Sequence, residues 1–411
     1  MSSRFYYGWV IVAVVFVTLF LALGLRFAFG IFYVAILDDT GWSRADAAGV
    51  FSVAMLAYAV AAVLSGALFD WLGPRRLFPL GAVILGMGLI LSAQVESIGG
   101  LYLFYGGFVG TGFAFLGFIP HMALLSRWFV RKRGLATAVA LAGTGIGAFV
   151  ITVLSEQLIG WLGWRQVFVW YGIFSMALLI PLTWLLHRDE PAAIGLHPDG
   201  TAEPPHSVAA SVEGSGSLRG VFAQRAFWLL LGGIFLFGVN TSTLAVHQTR
   251  LSLDYGFTIG VSAALFGLTG LFRSVGALIW GPLSDRVGRR PCIAAGFLMA
   301  AVGVLLLLQA RSLPQLGLLA TFVVLWGIGF NGTSPVYASM VADTFHGPHL
   351  GKTFGLLDLA YGFGSAAGPW VTGYLFDRLG SYEIPLWGIF AMTLGTALLF
   401  WLAAKPHRPA G

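Results

Sequence analysis

Long apolar runs separated by short polar breaks fill the chain from one end to the other. A helix that crosses a bilayer needs about 20 consecutive, mostly apolar residues. The run from Gly8 to Ile36 exceeds this, and similar runs follow it. The pattern predicts twelve helices, at about 7–36, 46–70, 77–95, 100–127, 134–159, 164–186, 225–250, 259–284, 290–309, 315–341, 351–376 and 384–404. Glycine is frequent inside these runs, which suits close helix packing in lipid. The first run is too long for the apolar part of a signal peptide, and no small-residue cleavage site follows it, so it is expected to stay as helix 1.

One break is unlike the others. Residues 187–224 contain Pro191, Pro198, Pro204, Pro205 and a Gly/Ser run from Ser211 to Ser217. This composition predicts a polar linker. It divides the chain into an N-terminal six-helix bundle (1–186) and a C-terminal one (225–411).

Composition agrees with the pattern. Hydrophobic residues make up 58% of the 411, and charged residues only 10%, against about 25% in a soluble domain. That is too little charge to cover a water-exposed surface. The net charge of +6 could suggest a nucleic-acid partner, but the placement of the basic residues explains it. Sixteen of the 23 Lys and Arg lie at the termini or in even-numbered loops, among them Arg4, Arg75, Arg76, Arg127, Arg131, Lys132, Arg133, Lys405 and Arg408; five lie in odd-numbered loops. By the positive-inside rule both termini and the linker are expected in the cytoplasm of a multi-pass inner (plasma) membrane protein. Arg26 and Arg273 fall inside predicted helices. A single cysteine, Cys292, rules out an internal disulfide and argues against a metal cluster. No Walker loop or His-rich cluster is visible, and no nucleophile elbow with its partners. Neither a cofactor nor a metal is expected, and an enzyme is not.

The chain repeats itself. Gly66-Ala-Leu-Phe-Asp70-Trp-Leu-Gly73-Pro-Arg75-Arg76 lies between helices 2 and 3. Gly281-Pro-Leu-Ser-Asp285-Arg-Val-Gly288-Arg289-Arg290 lies 215 residues later, between helices 8 and 9. A degraded copy, Gly373-Tyr-Leu-Phe-Asp377-Arg-Leu-Gly380, ends helix 11. Gly66 and Gly281 are expected to let neighbouring helices approach. Asp70 and Asp285 are expected to accept from a helix N-terminus or to pair with an arginine. Internal repeats of this kind are common in transporters.

These loops resemble the signature loop of the major facilitator superfamily, and the likeness extends over the whole chain. It implies two bundles that rock about a central site. Tyr7-Gly8-Trp9-Val10, Gly41-Trp42-Ser43-Arg44 and Arg127-Trp-Phe-Val-Arg131-Lys132-Arg133-Gly134, followed by Ala142-Gly143 and Gly147, resemble the monocarboxylate transporters and their bacterial relatives, the oxalate–formate antiporters among them. That resemblance implies transport of lactate, pyruvate or a similar small carboxylate, often together with a proton.

Ionisable residues inside a membrane helix are costly and therefore functional candidates. Arg273, near the middle of helix 8, can bind a carboxylate bidentately, and the resemblance implies that role; alternatively it caps carbonyls or pairs with an acid. The family often carries an aspartate one turn earlier, where this chain has Thr269. Asp358 in helix 11 is the clear intramembrane acid, a candidate for proton coupling or for gating. Tyr361 shares its face; oxalate–formate antiporters carry a lysine near this place, so its absence argues against a dicarboxylate. Arg26 is a second anchor or a gate. Asn240 and Asn331 could hydrogen-bond the solute, Phe115 could line an apolar pocket, and His121 and His247 could relay protons or serve as structural histidines. The expectation is a monomeric, proton-coupled monocarboxylate carrier. An organic-anion exchanger, or a drug or sugar facilitator on the same fold, is the alternative.

Overall fold

The computed structural model describes residues 6–200, 218–312, 315–345 and 350–404. Arg4, Pro204, Pro205, the Ser211–Ser217 run, Lys405 and Arg408 lie outside them. The described residues are helical, with no strand among them. Twelve long helical segments follow one another: α1 (Gly8–Thr40), α2 (Arg44–Leu72), α3 (Pro74–Ser92), α4 (Ile98–Trp128), α5 (Arg133–Leu162), α6 (Trp164–Leu186), α7 (Arg225–Asp254), α8 (Ile259–Val287), α9 (Arg289–Gln309), α10 (Leu316–Thr344), α11 (Leu350–Leu379) and α12 (Glu383–Ala403). Eleven are long and apolar enough to cross a membrane. The exception is α11, which is 30 residues long but has Gly, Ser and Asp358 through its middle. Several helices outrun their predictions: α1 continues to Thr40 and α2 starts at Arg44. Within the predicted linker, short helical turns occupy Pro191–Ile194, Pro198–Gly200 and Leu218–Phe222.

Two helices are irregular, and they occupy matching places in the repeat. In α4, Tyr102–Val109 is π-helical and the chain breaks at Leu116-Gly117 before Phe118. In α10, Trp326–Phe330 is π-helical and Asn331–Thr333 forms a 3₁₀ turn. Such distortions shift the side chains that follow around the helix, and they are frequent at functional sites.

By contacts the chain forms two compact units. Unit 1 is Met1–Ala28 with Val53–Ala210, and unit 2 is Phe29–Ser52 with Ser211–Gly411. The sequence division at the linker thus differs from the packing: residues 29–52, the second part of α1 and the start of α2, pack with the C-terminal helices.

Packing inside each unit rests on glycine. Helices in lipid gain nothing from the hydrophobic effect by touching one another, so close van der Waals approach must hold them. In unit 1, a Cβ on Gly143 or Gly147 of α5 would stand 2.5 or 2.1 Å from the carbonyl oxygens of Phe16 and Phe20 in α1. In unit 2, a Cβ on Gly364 or Gly368 of α11 would stand 2.1 or 2.5 Å from those of Phe235 and Val239 in α7. The i, i+4 glycine pair is therefore used twice, on the corresponding helix pair of each half. Gly86 of α3 and Gly172 of α6 are reciprocal, each Cβ position falling 2.6–2.7 Å from the other's carbonyl oxygen. The surfaces left outside are apolar. Trp71 and Trp161, in the last turns of α2 and α5, are 79% and 80% exposed, which is tenable only against hydrocarbon and its interface.

Gly66 departs from its expected role, because a Cβ there would meet nothing within 4 Å, and at Gly281 it would meet only Pro335 at 3.9 Å. The glycines these loops need are Gly73 and Gly288, at φ 71° and 102°, where a Cβ is strained. Gly147→Ala and Gly364→Ala are each expected to destabilise by about 1–3 kcal/mol through overpacking. Gly66→Ala is expected to be neutral or slightly stabilising. Thermal unfolding of the three purified variants in detergent checks this.

Candidate functional site

The candidate residues of unit 2 are set around the distorted part of α10. Arg273 is the fifteenth of the 29 residues of α8 and is half-buried. Its backbone lies against the π-helical turn: a Cβ on Gly327 would stand 3.0 Å from the Thr269 carbonyl oxygen and 3.4 Å from the Arg273 nitrogen. One turn further on, Gly276 meets Ile328 and Gly332 equally closely. Glycines on both helices therefore let α10 lie directly along the arginine's turn of α8. The Thr269 hydroxyl donates to the Leu265 carbonyl at 3.2 Å, so at the place where the resembled family often has an acid, this chain has a hydroxyl bonded to its own helix.

From the same turn an aromatic stack crosses the unit. Trp326 lies on Phe330 with 4.2 Å between centroids and 8° between planes. Phe330 lies on Phe237 of α7 at 4.6 Å and 6°, and Phe237 leans on Tyr361 of α11 at 6.3 Å. Asn331 follows Phe330 and is buried. Asp358, one turn before Tyr361, is within electrostatic reach of Tyr337 in α10. Arg273, Asn331, Asp358 and Tyr361 thus sit on three helices: α8 meets α10 through glycine contacts, and the aromatic rings lead from α10 by way of α7 to α11. Asn240 is fully buried, and its amide donates to Thr393 of α12 at 3.5 Å.

Sequence reasoning passed over the stack, because nothing distinguishes Phe237, Trp326 or Phe330 among so many aromatic residues. It also passed over a polar stretch of α7. Besides Asn240 Oδ1, the atoms Thr241 Oγ1, Thr243 Oγ1, Gln248 Nε2 and Thr249 Oγ1 are buried with no hydrogen-bond partner among the described residues. The signal was present in Asn240-Thr-Ser-Thr and His247-Gln-Thr249, an unusually polar decade inside an apolar helix.

His247 is fully engaged. Its Nε2 lies 2.9 Å from the Pro369 carbonyl of α11, and its Nδ1 lies 3.0 Å from Tyr382 Oη and 3.3 Å from Tyr33 Oη. A carbonyl only accepts, so Nε2 carries the hydrogen and Nδ1 accepts. This imidazole pins four segments of unit 2 together.

In unit 1, Arg26 of α1 is 7% exposed, and its guanidinium carbon lies 4.7 Å from the Tyr58 ring centroid, a cation–π contact. Tyr105 of α4 is within electrostatic reach of it. Phe115 is buried just before the α4 break, and its Cβ meets Gly81 of α3. His121, just after the break, is fully buried; its Nδ1 donates to the Gly117 carbonyl at 2.7 Å and its ring stacks on Phe78 at 4.3 Å. Phe78 also touches His187. His121 Nε2 and both nitrogens of His187 have no partner among the described residues. Burial, and then the neighbouring His121, hold the His187 imidazole well below its usual pKa.

The signature loops hold ion pairs. Asp70 accepts from Arg127 at 2.9 Å, and Arg75 Nε donates to the Trp184 carbonyl at 3.1 Å. Arg289 bridges Asp285 to Asp343 of α10, with 3.0 Å to Asp343. Beyond the α4 end, Asp199 accepts from three successive backbone amides, Val130, Arg131 and Lys132, at 3.0, 2.7 and 3.1 Å. Partial burial alone would raise the Asp199 carboxyl, but those three N–H groups and Lys132 outweigh it and hold the pKa below its ordinary value. Among the described residues no group of three or more His, Cys, Asp or Glu could hold a metal ion.

Comparison with known proteins shows the family and the fold. The chain matches the family model of the Major Facilitator Superfamily over residues 15–275 and 245–411. It is 27% identical to monocarboxylate transporter 11 of Homo sapiens, over 92% of this chain and 78% of the relative. It is 28% identical to monocarboxylate transporter 13 of Bos taurus, over 92% and 84%. It is 25% identical to YhjX of Escherichia coli (strain K12), an uncharacterised transporter of the same superfamily, over 84% and 82%. A crystal structure of a bacterial homolog of the human lysosomal transporter Spinster, inward-facing and occupied, shares the fold with a TM-score of 0.73 at 18% identity, over 98% of this chain and 97% of that one.

Asp199→Asn, with one acceptor oxygen instead of two, is expected to speed hydrogen exchange at Val130–Lys132. A carboxylate with a lowered folded pKa stabilises above its unfolded value and stops doing so as pH falls through the folded one. The protection of these amides is therefore expected to be complete at neutral pH and lost only below 3.8. Protection factors measured across pH check both outcomes.

Proposed function

Because the chain belongs to the Major Facilitator Superfamily, we propose that it moves a small monocarboxylate such as L-lactate or pyruvate across the membrane in symport with protons. The observation that carries this reading is Arg273, a permanently charged guanidinium in the middle of α8, half-buried beside the distorted turn of α10. A charge at a helix centre costs about 2.5–3.5 kcal/mol on insertion scales. An anionic solute returns that cost through a bidentate, charge-assisted contact. The relatives named monocarboxylate transporters and the aromatic stack beside Tyr361 support a small, partly apolar anion. In this reading Asn331 and Tyr361 complete the solute site, Asp358 carries the coupling proton, and Arg26 provides a second cationic contact. His121 and His247 serve packing. The linker and both termini face the cytoplasm of the inner membrane, residues 1–186 and 225–411 are the functional halves, and the monomer is the working unit.

Exchange of organic anions without a proton is the second reading, and one observation favours it. Thr269 stands where the resembled family often has an acid, and its hydroxyl is bonded to Leu265.

In proteoliposomes, Arg273→Lys is expected to abolish lactate uptake in a folded protein; retained uptake would remove the anchor. Asp358→Asn is expected to lose the response to a pH gradient while lactate–lactate exchange persists; an unchanged pH response would remove its coupling role. Competition by small mono- and dicarboxylates against labelled lactate, with and without a pH gradient, separates the two readings.

A further inference from the structure

The transport reading asks only packing of His121 and nothing of His187, yet unit 1 sets the two together. His121 of α4 and His187, which follows the last residue of α6, are both fully buried. Their ring centroids are 6.4 Å apart, and Phe78 of α3 touches both, at 4.3 and 4.9 Å. Phe69 of α2 packs on Phe78 at 6.3 Å. Around the cluster the chain leaving α6 is fastened to its neighbours: Tyr7 donates to the Leu186 carbonyl at 2.8 Å, and Trp128 Nε1 to the Arg188 carbonyl at 3.2 Å.

The hydrogens can be placed. A carbonyl only accepts, so His121 Nδ1 carries the hydrogen that meets Gly117, and Nε2 is the basic nitrogen. Nε2 has no partner among the described residues, and neither nitrogen of His187 has one. The charged and titratable groups of the surrounding elements are turned elsewhere. Asp70 of α2 pairs with Arg127 of α4. On α3, Arg75 donates to the Trp184 carbonyl and Arg76 is exposed. Tyr6 and Tyr7 donate to the Trp128 and Leu186 carbonyls. Beyond α6, Arg188 donates to the Leu185 and His187 carbonyls, Asp189 lies against Gly73, and Glu190 is exposed. Arg131 and Lys132 are exposed, and Asp199 holds the amides of their loop. The titratable group that acts on His187 is His121. Phenylalanine at either place would pack on Phe78 with no polar atom to bury, whereas a buried polar atom without a bond costs stability, and a buried charge costs far more. The cluster therefore holds together only while both rings are neutral.

We infer that His121, Phe78 and His187 form an acid-operated switch in unit 1, packed while both imidazoles are neutral and opened at the α6 end when they take protons. The sign follows from linkage. In the opened state the rings meet water and take protons below their ordinary 6.5, whereas burial holds His187 well below that value. The opened state binds more protons, so packing is complete above about 6.5 and is lost as pH falls below it. Each pH unit in that range favours opening by up to about tenfold per imidazole. On the symport reading, protons delivered with the solute arrive on the side where the linker lies, so the switch reports the carrier's own product; that consequence rests on the reading, and the switch itself does not.

The test needs no solute. Hydrogen exchange of the backbone amides from Thr183 to His187 is measured on the full chain in proteoliposomes, at about pH 7.5 and about pH 5.5, as protection factors that remove the intrinsic effect of pH. Opening of the parent is expected to rise about a hundredfold between them, about tenfold for each imidazole. His187→Phe is expected to leave about a tenfold rise. His121→Phe and His187→Phe together are expected to leave none, with exchange at the higher pH no faster than in the parent. His121→Gln with His187→Gln, polar side chains that gain no proton, are expected to be equally insensitive to pH, and they carry the test where the phenylalanine pair does not fold. The amides around Ala300, in the buried part of α9, are expected to stay protected at both pH values. A parent that exchanges alike at both would overturn the switch. So would a double variant that keeps the parent's response, or equal acceleration around Ala300, which would show general loosening by acid.

Discussion

Hydrocarbon offers these helices no reason to touch, and the close approach of backbone to backbone at glycine is what the rest of the structure depends on. Where Gly143 and Gly147 meet the carbonyls of α1, and where Gly364 and Gly368 meet those of α7, a side chain of any size would push the axes apart. Dispersion between packed atoms falls off steeply with separation, so a gap of even one ångström forfeits much of it. The candidate residues inherit their positions from these seams. Arg273 is placed against α10 because Gly276, Gly327 and Gly332 allow contact there. Tyr361 lies beside Phe237 because its own backbone rests against Gly238.

The twelve elements were legible because the bilayer imposes a length on apolar runs, and the alternation of basic loops counts the crossings. Helix ends were less legible. The last turn of α1 and the first of α2 carry Asp38, Asp39 and Arg44, and a polar turn beyond the apolar run looks like a loop when hydropathy is the guide. At the start of α2 the free amides are shared between Ser43, whose hydroxyl accepts from Asp46, and Asp377, which accepts from Ala45 332 residues away in sequence. The Ser43 cap could have been read locally; the Asp377 contribution could not, because no local pattern announces a partner at that distance. The distortions of α4 and α10 were invisible as well: Trp326–Phe330 is apolar throughout, and the close contacts of Gly327 and Gly329 with neighbouring helices come from residues remote in sequence.

Charge was the most readable signal of a site, because it is rare here and expensive in lipid. It pointed to Arg273, Asp358 and Arg26, and the structure sets the Tyr58 ring against Arg26 and Tyr337 within electrostatic reach of Asp358. It said nothing of the rings. With 34 phenylalanines in the chain, the ones that stack from Trp326 to Tyr361 had no contrast against those that face lipid. Histidine was ambiguous in sequence, and the partners decide what each can do. His247 spends both nitrogens on a carbonyl and two tyrosines, whereas His121 leaves Nε2 unbonded among the described residues.

The repeated Gly-x-x-x-Asp pattern shows why a motif cannot be assigned one role from its letters. The spacing is one helical turn, so glycine and carboxylate always share a face. In the first two copies no backbone presses on Gly66 or Gly281, and the aspartates pair with Arg127 and Arg289. In the third copy Gly373 is in backbone contact and Asp377 accepts two amides. The difference lies in what stands opposite. An arginine side chain reaches a carboxylate from several ångströms away and asks nothing of the glycine. A helix N-terminus has fixed amides on a rigid backbone, so the carboxylate can reach them only if the two backbones meet, and only glycine lets them meet. The same face therefore forms an adaptable ion pair in one setting and a close-fitting cap in the other.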